Sequence, residues 1–288
     1  MKRLLVTGAG GLLGSHLVRL ARGTFHVLGL HSPRSRTANV AKVDLGDLPL
    51  LEQTVREFAP HVVIHAGAMT TPVECEEKPD LATRVNVDAT RRLAALVREL
   101  DARLLLLSTD LVFDGEKGMY CEEDAVGPLS HYARTKVEAE RATLDLAPNS
   151  LIVRVTLMVG TSPNGGRSVN EVMQRALERG ETIRLFTDEF RALIGVENLA
   201  EALLELAEEY ETGILHLCGP ERRSRHEWGM LIARHFGWDL SRIQPVTRAE
   251  MKLFPPRPPD VSLDISKARR ILKTRIQTIE EVLRDLGR

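Results

Sequence analysis

The stretch RLLVTGAGGLLGSHLVRLA, residues 3–21, decides the fold of this chain. The apolar run at its start has the length and composition of a buried strand. Glycines follow at once, and the residues after them repeat leucine and valine at the i, i+3, i+4 spacing of a helix. Strand, glycine-rich turn and helix in direct succession are the context in which a dinucleotide-binding loop occurs. The N-terminus therefore predicts the first strand–helix unit of a parallel sheet.

The glycines of this turn have the spacing G-x-x-G-x-x-G, with Gly8, Gly11 and Gly14 at the three glycine positions. Bare backbone there lets a pyrophosphate approach the helix N-terminus, where free N–H groups and the helix dipole favour an anion. We predict that these glycines bind a dinucleotide together with Leu12 and Leu13. The alternative is a glycine-rich turn that serves packing alone.

The same alternation recurs along the chain. Short apolar runs, such as HVVIHAG (residues 61–67) and RLLLLSTD (103–110), alternate with amphipathic segments such as DLATRVNVDATRRLAALVREL (80–100), which we predict to be one helix. This pattern predicts an α/β fold, a doubly wound parallel sheet of the Rossmann type with a smaller C-terminal substrate-binding region. We assign the dinucleotide-binding domain to residues 1–158 and 192–218, and the substrate-binding region to 159–191 and 219–288.

The composition argues against several kinds of partner. Formal net charge is −1, from 39 basic and 40 acidic residues, so we expect neither a nucleic-acid nor a membrane partner. The cysteines, Cys75, Cys121 and Cys218, are odd in number and far apart, which argues against a disulfide framework or a zinc site. We expect a soluble cytoplasmic protein, monomeric or homodimeric. We also expect no metal site, because we interpret the histidines as surface or core groups.

The end of the second strand predicts the choice of nucleotide. An acidic residue there usually bonds the ribose hydroxyls in NAD enzymes. Here the strand is followed by His31 and Ser32, without a carboxylate, and then by Arg34 and Arg36. Because an arginine can accept the additional 2′-phosphate, we favour NADP(H), with NAD(H) as the alternative. Both arginines could instead be solvated loop residues.

Two further strand ends complete the predicted cofactor site. Asp44 follows a short third strand, where its carboxylate can meet the adenine group or instead cap a helix. The fourth strand ends at the carboxyl edge of the sheet, where ligands bind in doubly wound folds. We therefore predict cofactor contacts from Asp44, Leu45, Ala66, Gly67 and Ala68, and a substrate contact from Thr70.

The segment HYARTKVEAE, residues 131–140, predicts the catalytic chemistry. Tyr132 and Lys136 are four residues apart and therefore share one face of a helix. A lysine ammonium and an oxidised nicotinamide ring would together stabilise a phenolate, and lowering a tyrosine pKa from about 10 to about 7 takes roughly 4 kcal/mol. Tyr132 would then act as a general acid or base for a carbonyl and alcohol pair.

A third group of residues ends the strand RLLLLSTD. Ser108, Thr109 and Asp110 fall at its carboxyl end, where a hydroxyl group can bond the substrate oxygen and orient it towards Tyr132. Each motif occurs by chance when taken alone. The glycine loop, this strand end and the Tyr–Lys pair in one chain, in this order, are a much more specific signal.

These segments resemble the extended short-chain dehydrogenase/reductases, and within that superfamily the chain is similar to the dTDP-4-dehydrorhamnose reductases. The similarity covers nearly the whole length and rests on five segments: TGAGGLLG (7–14), CEEKPDLATRVNVDAT (75–90), STDLVFDG (108–115), YARTKVEAE (132–140) and RPPDVSLDISKARRIL (257–272).

The resemblance implies that Thr109, Tyr132 and Lys136 are the catalytic trio, with Lys136 also holding the nicotinamide ribose. It implies that Asn86 supports the active-site geometry. Arg257 can bond the diphosphate of a nucleotide sugar, or form a salt bridge within its own loop. The implied cofactor contacts include Asn86, Ser108, Tyr132 and Lys136, and the implied substrate contacts are Thr70, Thr109, Asp110, Tyr132 and Arg257.

Three departures from the family pattern fall on the substrate side. Leu111 stands where these reductases usually have tyrosine, and Leu157 lies where they tend to have tryptophan. The segment DEFRALIG (188–195) replaces the usual Q-Y-G-x-P-T and lacks its glycine and proline. Cofactor and reaction type therefore carry over better than substrate identity.

The sequence thus predicts an NADP(H)-dependent reductase of the 4-keto group of a dTDP-linked deoxysugar, with hydride transfer and Tyr132 as proton donor. One alternative is an NAD-dependent nucleotide-sugar epimerase or other oxidoreductase. Another is a non-catalytic dinucleotide-binding regulatory subunit, since a regulatory subunit of methionine adenosyltransferase has the same reductase-like scaffold.

Overall fold

A seven-stranded parallel sheet forms the centre of the computed structural model, which describes residues 1–32 and 41–286. The strands are β1 Arg3–Thr7, β2 His26–His31, β3 Ala41–Lys42, β4 Val62–His65, β5 Arg103–Thr109, β6 Leu151–Val155, β7 Met158–Val159, β8 Ile183–Phe186, β9 Phe190–Arg191, β10 Ile194–Gly195, β11 Gly213–Leu217, β12 Arg223–Ser224 and β13 Ile243–Val246.

Helices cover both faces of this sheet and build the C-terminal region. They are α1 Leu12–Leu20, α2 Leu48–Phe58, α3 Pro72–Glu77, α4 Pro79–Thr83, α5 Ala89–Glu99, α6 His131–Leu146, α7 Val169–Glu178, α8 Val196–Glu208, α9 Arg225–Phe236, α10 Arg248–Met251, α11 Ser266–Ile271 and α12 Ile279–Leu286, with a π-helical turn at Arg84–Asp88 and 3₁₀ turns at Asp110–Val112 and Leu240–Arg242.

The strand order of the large sheet, β11-β6-β5-β4-β1-β2-β3, confirms the predicted doubly wound fold. The chain starts in the middle at β1, moves out to β3, and then returns past β1 to β4, β5 and β6. The direction of winding therefore reverses between β1 and β4. In sheets of this kind, ligands bind in the crevice outside the carboxyl ends of the strands at that reversal.

The alternation of side chains along β1 explains why both faces are covered. Leu4 and Val6 face a core that contains α1 and α8, whereas Leu5 faces a second core that contains α2 and α5. Successive residues of a strand point to opposite faces, so a strand buried on both sides has no polar position. This is why the run LLV is continuous rather than alternating.

The predicted single helix over residues 80–100 is wrong in one respect. The structure has α4, then the π-helical turn Arg84–Asp88, then α5. A π turn widens the helix by one residue and often occurs at functional sites. Here the side chain of Asn86 turns inward and bonds both the N–H and the carbonyl of Met69, which an apolar periodicity could not reveal.

A separate core lies in the C-terminal part of the chain. Its centre is Trp228 of α9, which is almost fully buried against residues of α7, β8 and α12. Two short strand pairs frame it, β8 with β13 in parallel and β9 with β12 antiparallel. Within residues 1–32 and 41–286, no helix combines the length and the apolar character needed to cross a bilayer.

Replacing Leu17 by alanine should lower the free energy of unfolding by about 2–5 kcal/mol, because this fully buried side chain of α1 fills the core against the sheet. The matched control is Leu50→Ala on α2, whose side chain is 39% exposed and should cost within about 0.5 kcal/mol. Urea denaturation followed by circular dichroism measures both. Equal losses would contradict the packing described.

Candidate active site

The glycine loop between β1 and α1 presents open backbone at a helix N-terminus. The N–H of Gly11 donates to the carbonyl of Gly8 at 2.8 Å, and no described side chain caps α1. Gly8 has φ +71°, and a Cβ atom there would lie 2.8 Å from the Cα of Gly67. At Gly14 a Cβ would lie 2.2 Å from the Gly8 carbonyl oxygen. Buried Leu12 and Leu13 fix the helix on the core. This cradle fits a phosphate group.

The ends of β2 and β3 lie beside this loop. The Nδ1 of His31 donates to the carbonyl of Ser32 at 2.7 Å, and its buried Nε2 has no hydrogen-bond partner among the described residues. The predicted cofactor residues Arg34 and Arg36 lie outside the described residues. Asp44 accepts from the N–H of Gly46 at 2.9 Å. The capping alternative for Asp44 is wrong, because Asp47 caps α2.

The loop after β4 closes this side of the cleft. The N–H of Gly67 donates to Thr7 Oγ1 at 2.9 Å, and a Cβ on Gly67 would meet the side chain of Leu45 at 2.7 Å. Leu45 therefore lies directly over the backbone of residues 66–68. The neighbouring Ala66 and Ala68 are half-buried, and Thr70 is exposed on the same loop.

Thr109 and Tyr132 come together at the end of β5. The Thr109 hydroxyl lies close enough to the Tyr132 phenol to influence its pKa, and the phenol is only 8% exposed among Cys75, Met69 and Leu111. Burial raises the pKa of Tyr132 above its ordinary value, Asp110 raises it further, and the Thr109 hydroxyl lowers it. Among the protein's own groups, enclosure outweighs the lowering effect of Thr109; a pKa near 7 was expected for the phenol beside an oxidised nicotinamide, and it stays a prediction. The phenol is protonated.

Lys136 is fully enclosed one helical turn further along α6. Its Nζ donates to the carbonyl of Leu107 at 2.6 Å. Burial lowers its pKa to about 8, against a raising effect of Glu140. Glu140 in turn forms a buried ion pair with Arg154 of β6 at 2.8 Å and accepts a hydrogen bond from Ser108. The structure thus brings Ser108 to Glu140, whereas Thr109 lies beside Tyr132.

Asn86 joins the loop after β4 to the catalytic helix. Besides its two bonds to Met69, its Nδ2 donates to Thr135 Oγ1 at 3.0 Å. The Thr135 hydroxyl donates to the carbonyl of Tyr132 at 2.7 Å. Asn86 therefore connects α6 to the loop after β4; the supporting role that the resemblance implies for it stays a prediction.

Asp110 and Arg257 occupy the two sides of the predicted substrate region. Asp110 is buried and pairs with Arg191 at 2.7 Å. Arg257 is exposed, and no ion pair within residues 1–32 and 41–286 involves its guanidinium. The salt bridge of this loop is formed by Asp260 with Arg222 at 2.6 Å instead. The loop salt-bridge alternative for Arg257 is therefore wrong.

Several residues of the site escaped the sequence analysis. Glu140 follows Lys136 by four residues and so continues the face of Tyr132 and Lys136, a spacing that could have identified it. Arg154 interrupts an otherwise apolar strand, which signals a buried partner. Arg191 lies in the segment DEFRALIG (188–195), which was singled out above for the glycine and proline it lacks. Its arginine was not recognised as a signal of a buried ion pair.

Two histidines have the four-residue spacing of a metal-binding pair, His61 and His65. They flank strand β4 rather than a helix, where that spacing corresponds to about 13 Å, too far for a shared ion. His65 is instead bonded to Thr7 at 2.6 Å and to Thr90 at 3.0 Å. Within residues 1–32 and 41–286 no group of three acidic, histidine or cysteine side chains could hold a metal.

A doubly wound sheet, a glycine loop at the N-terminus of α1, and a tyrosine and lysine on α6 next to the end of β5 define the class. It is that of the extended short-chain dehydrogenase/reductases, which are NAD(P)-dependent oxidoreductases. Within this class, the chain belongs to the RmlD substrate binding domain family, whose sequence model matches residues 1–287.

Three relatives agree with this family and carry the names of different proteins. The chain is 31% identical to the probable low-salt glycan biosynthesis reductase Agl14 of Haloferax volcanii, over 96% of this chain and 95% of that protein. It is 30% identical to methionine adenosyltransferase 2 subunit beta of Pongo abelii, over 92% and 81% respectively. It is also 30% identical to dTDP-4-dehydrorhamnose reductase of Aggregatibacter actinomycetemcomitans, over 93% and 92%.

Solved structures show the same fold. The dTDP-4-dehydrorhamnose reductase of Bacillus anthracis, in complex with NADP, superposes with a TM-score of 0.90 at 23% identity, covering 99% of this chain and 98% of that one. A hypothetical dTDP-4-dehydrorhamnose reductase from Sulfolobus tokodaii has a TM-score of 0.83 at 34% identity, covering 94% and 95%.

Replacing Gly8 by alanine should abolish high-affinity dinucleotide binding, because the new Cβ would force the loop away from Gly67. A displacement that costs about 1.4 kcal/mol already weakens binding about tenfold. Gly237→Ala is the matched control: Gly237 also has positive φ, +67°, but a Cβ there meets nothing within 4 Å. Fluorescence titration with NADPH measures both. Equal affinities in the two variants would refute the assignment of the loop.

Proposed function

We propose that this protein is an NADP(H)-dependent reductase of the 4-keto group of a dTDP-linked deoxysugar, with Tyr132 as the proton donor. One observation carries the proposal: the buried, protonated phenol of Tyr132 lies beside the Thr109 hydroxyl at the carboxyl edge of the sheet. A ketone reduction needs a proton donor at the forming alkoxide and a second group that orients the oxygen. This pair supplies both.

The proposed roles follow from the contacts of each side chain. Tyr132 donates its proton to the sugar oxygen, and Thr109 orients that oxygen. Lys136, placed by the Leu107 carbonyl, contributes a positive charge beneath the cleft while its ammonium is protonated. When bound, the reduced nicotinamide supplies the hydride.

The cofactor site is proposed to extend from the glycine loop across the ends of β2 and β4. Gly8, Gly11 and Gly14 take the pyrophosphate at the N-terminus of α1. The absence of an acidic residue at His31 and Ser32 supports NADP over NAD, and Arg34 and Arg36 remain the proposed partners of the 2′-phosphate. The NADP complex of the Bacillus anthracis relative supports the same choice.

The substrate site is proposed to lie between the sheet edge and residues 159–191 and 219–288. Thr70 borders this site on the loop after β4. Arg257 is exposed and has no ion-pair partner among the described residues, so its guanidinium is available to bind a diphosphate. The relative from Aggregatibacter actinomycetemcomitans, a dTDP-4-dehydrorhamnose reductase, supports a dTDP-linked sugar.

A second candidate is a regulatory subunit that binds the dinucleotide without turning over a sugar. Its support is the 30% identity to methionine adenosyltransferase 2 subunit beta over 92% of this chain. The assembled Thr109, Tyr132 and Lys136 favour the reductase, because a purely regulatory protein has no need of a buried proton donor.

Replacing Tyr132 by phenylalanine should lower kcat by about 1000-fold and leave the Kd for NADPH unchanged, because the ring remains and only the proton donor is lost. The assay is loss of NADPH absorbance with a dTDP-4-keto-6-deoxy sugar, and NADH is compared in parallel. The control is Tyr210→Phe, since Tyr210 is 89% exposed.

Three outcomes separate the candidates. Turnover that is lost only in Tyr132→Phe supports the reductase and gives its cofactor preference. Wild-type protein that binds NADPH, turns over no keto sugar and stimulates a methionine adenosyltransferase would establish the regulatory role. A Tyr132→Phe protein as active as the wild type would exclude Tyr132 as the donor.

The pH dependence should reflect Lys136. Its pKa in the folded protein, about 8, lies below the 10.5 of a free lysine, so the ammonium is lost as pH rises through about 8. We therefore expect kcat/KM, which reports the free enzyme, to fall about tenfold per pH unit above that value. Circular dichroism over the same range serves as the control for folding. A profile that stays flat to pH 10 would contradict this role of the ammonium.

A further inference from the structure

Asp110 is a buried carboxylate, and protein groups occupy both of its oxygens. Its Oδ2 accepts hydrogen bonds from Arg191 Nη1 at 2.7 Å and from Thr156 Oγ1 at 2.9 Å. Its Oδ1 accepts one from Thr109 Oγ1 at 3.1 Å. The resemblance implied a substrate contact for Asp110. The structure directs this carboxylate to three side chains of the protein.

Arg191 reaches Asp110 from the C-terminal part of the chain. It lies on β9, and its side chain is 2% exposed. Its guanidinium also pairs with Glu189, itself 1% exposed, at 3.2 Å, and its carbonyl accepts a hydrogen bond from Trp228 at 2.9 Å. A buried charge that loses its partner is strongly destabilising. The end of β5 and strand β9 are therefore held in one arrangement.

The ion pair also bears on the hydrogen bonds at Thr109. The Asp110 carboxylate accepts a hydrogen bond from the Thr109 hydroxyl, which fixes the position of the Thr109 side chain at the end of β5. The Thr109 oxygen is left as an acceptor, and the N–H of Leu111 donates to it at 3.2 Å. Thr109 is therefore held from two sides, by Asp110 and by the backbone of Leu111, at the place where it lies beside the Tyr132 phenol.

We propose that Arg191 is a positioning residue: by pairing with the Asp110 carboxylate at the end of β5, it fixes the Thr109 hydroxyl beside the Tyr132 phenol. The inference rests on the proposed reductase function. Arg191 stands in the segment DEFRALIG (188–195), which departs from the Q-Y-G-x-P-T of the resembled reductases. The Arg191–Asp110 ion pair thus connects the C-terminal region to Thr109 and, beside it, Tyr132.

Kinetics test the inference through a double-mutant cycle. Arg191→Met should lower kcat about 100-fold, the size expected for losing an oriented hydrogen-bonding group, with the KM for the keto sugar and the Kd for NADPH nearly unchanged. Arg191→Lys, which keeps the charge, should recover most of that loss. In a Thr109→Val background, Arg191→Met should have no further effect, because Arg191 acts through Thr109.

The matched control is Arg223→Met. Arg223 lies opposite Arg191 in the β9–β12 pair, but its ion pairs are with Glu221 and Glu280. It should leave kcat unchanged. If Arg191→Met does not fold, Thr156→Val removes the other donor to Asp110 Oδ2 and should lower kcat in the same direction, again without effect in the Thr109→Val background.

A spectroscopic cycle makes the test independent of turnover. In protein labelled with ¹³Cζ-tyrosine, Tyr132→Phe assigns the Tyr132 resonance among the three tyrosines of the chain. Arg191→Met should shift this resonance in the same direction as Thr109→Val, and the double variant should shift it no further. Arg223→Met should leave it in place. If the wild type turns over no keto sugar, the proposed function fails, and this cycle still decides the role of Arg191.

Three results would overturn the inference. The first is an additive effect of Arg191→Met and Thr109→Val on either kcat or the Tyr132 resonance. The second is a raised KM for the nucleotide sugar with unchanged kcat, which would make Arg191 a substrate-binding residue. The third is equal activity of Arg191→Met, Arg191→Lys and the wild type.

Discussion

The carboxylate of Asp110 is the point at which the two parts of the molecule depend on each other. It ends the central strand β5, and its counter-ion, Arg191, comes from a short strand of the C-terminal region. Two charges removed from water remain stable only while they stay paired and hydrogen-bonded. The sheet edge and the C-terminal region are therefore fixed to each other beside the hydroxyl groups of Thr109 and Tyr132. At the end of β5, the geometry of the cleft is set by an ion pair and hydrogen bonds rather than by apolar packing.

A second chain of hydrogen bonds links the glycine loop to the catalytic helix, and its directions can be assigned. The N–H of Gly67 donates to Thr7 Oγ1. Thr90 donates to the carbonyl of Asn86, so it must accept from His65 Nε2, which leaves Nδ1 to accept from Thr7. Burial lowers the pKa of His65 to about 3. The imidazole therefore stays neutral near neutral pH, and this order of donors and acceptors holds there.

The sequence was sufficient for the parts of the structure that follow from local pattern. Three features have a local pattern that a single sequence makes visible: the apolar strand LLV, the glycine loop, and the four-residue separation of Tyr132 and Lys136. The π-helical turn at Asn86 has no such signature, because it inserts one residue into an otherwise regular helix. The pair of Asp110 with Arg191 joins residues 81 positions apart, and no local pattern encodes a contact of that range. The choice between Asp44 and Asp47 as helix cap failed for a smaller reason, since both are equally good capping residues three positions apart.

The state of Tyr132 bears on the direction of the reaction. A tyrosine with a lowered pKa suits the removal of a proton from an alcohol, whereas reduction of a ketone needs a phenol that still carries its proton. Enclosure by Cys75, Met69 and Leu111 and the charge of Asp110 both raise the pKa, and only the Thr109 hydroxyl and Arg191 act against them. The protein's own residues therefore favour the protonated phenol. Asp110 thus both orients Thr109 and opposes the loss of the proton from Tyr132. One buried carboxylate therefore serves both the geometry and the protonation state that a reductase requires.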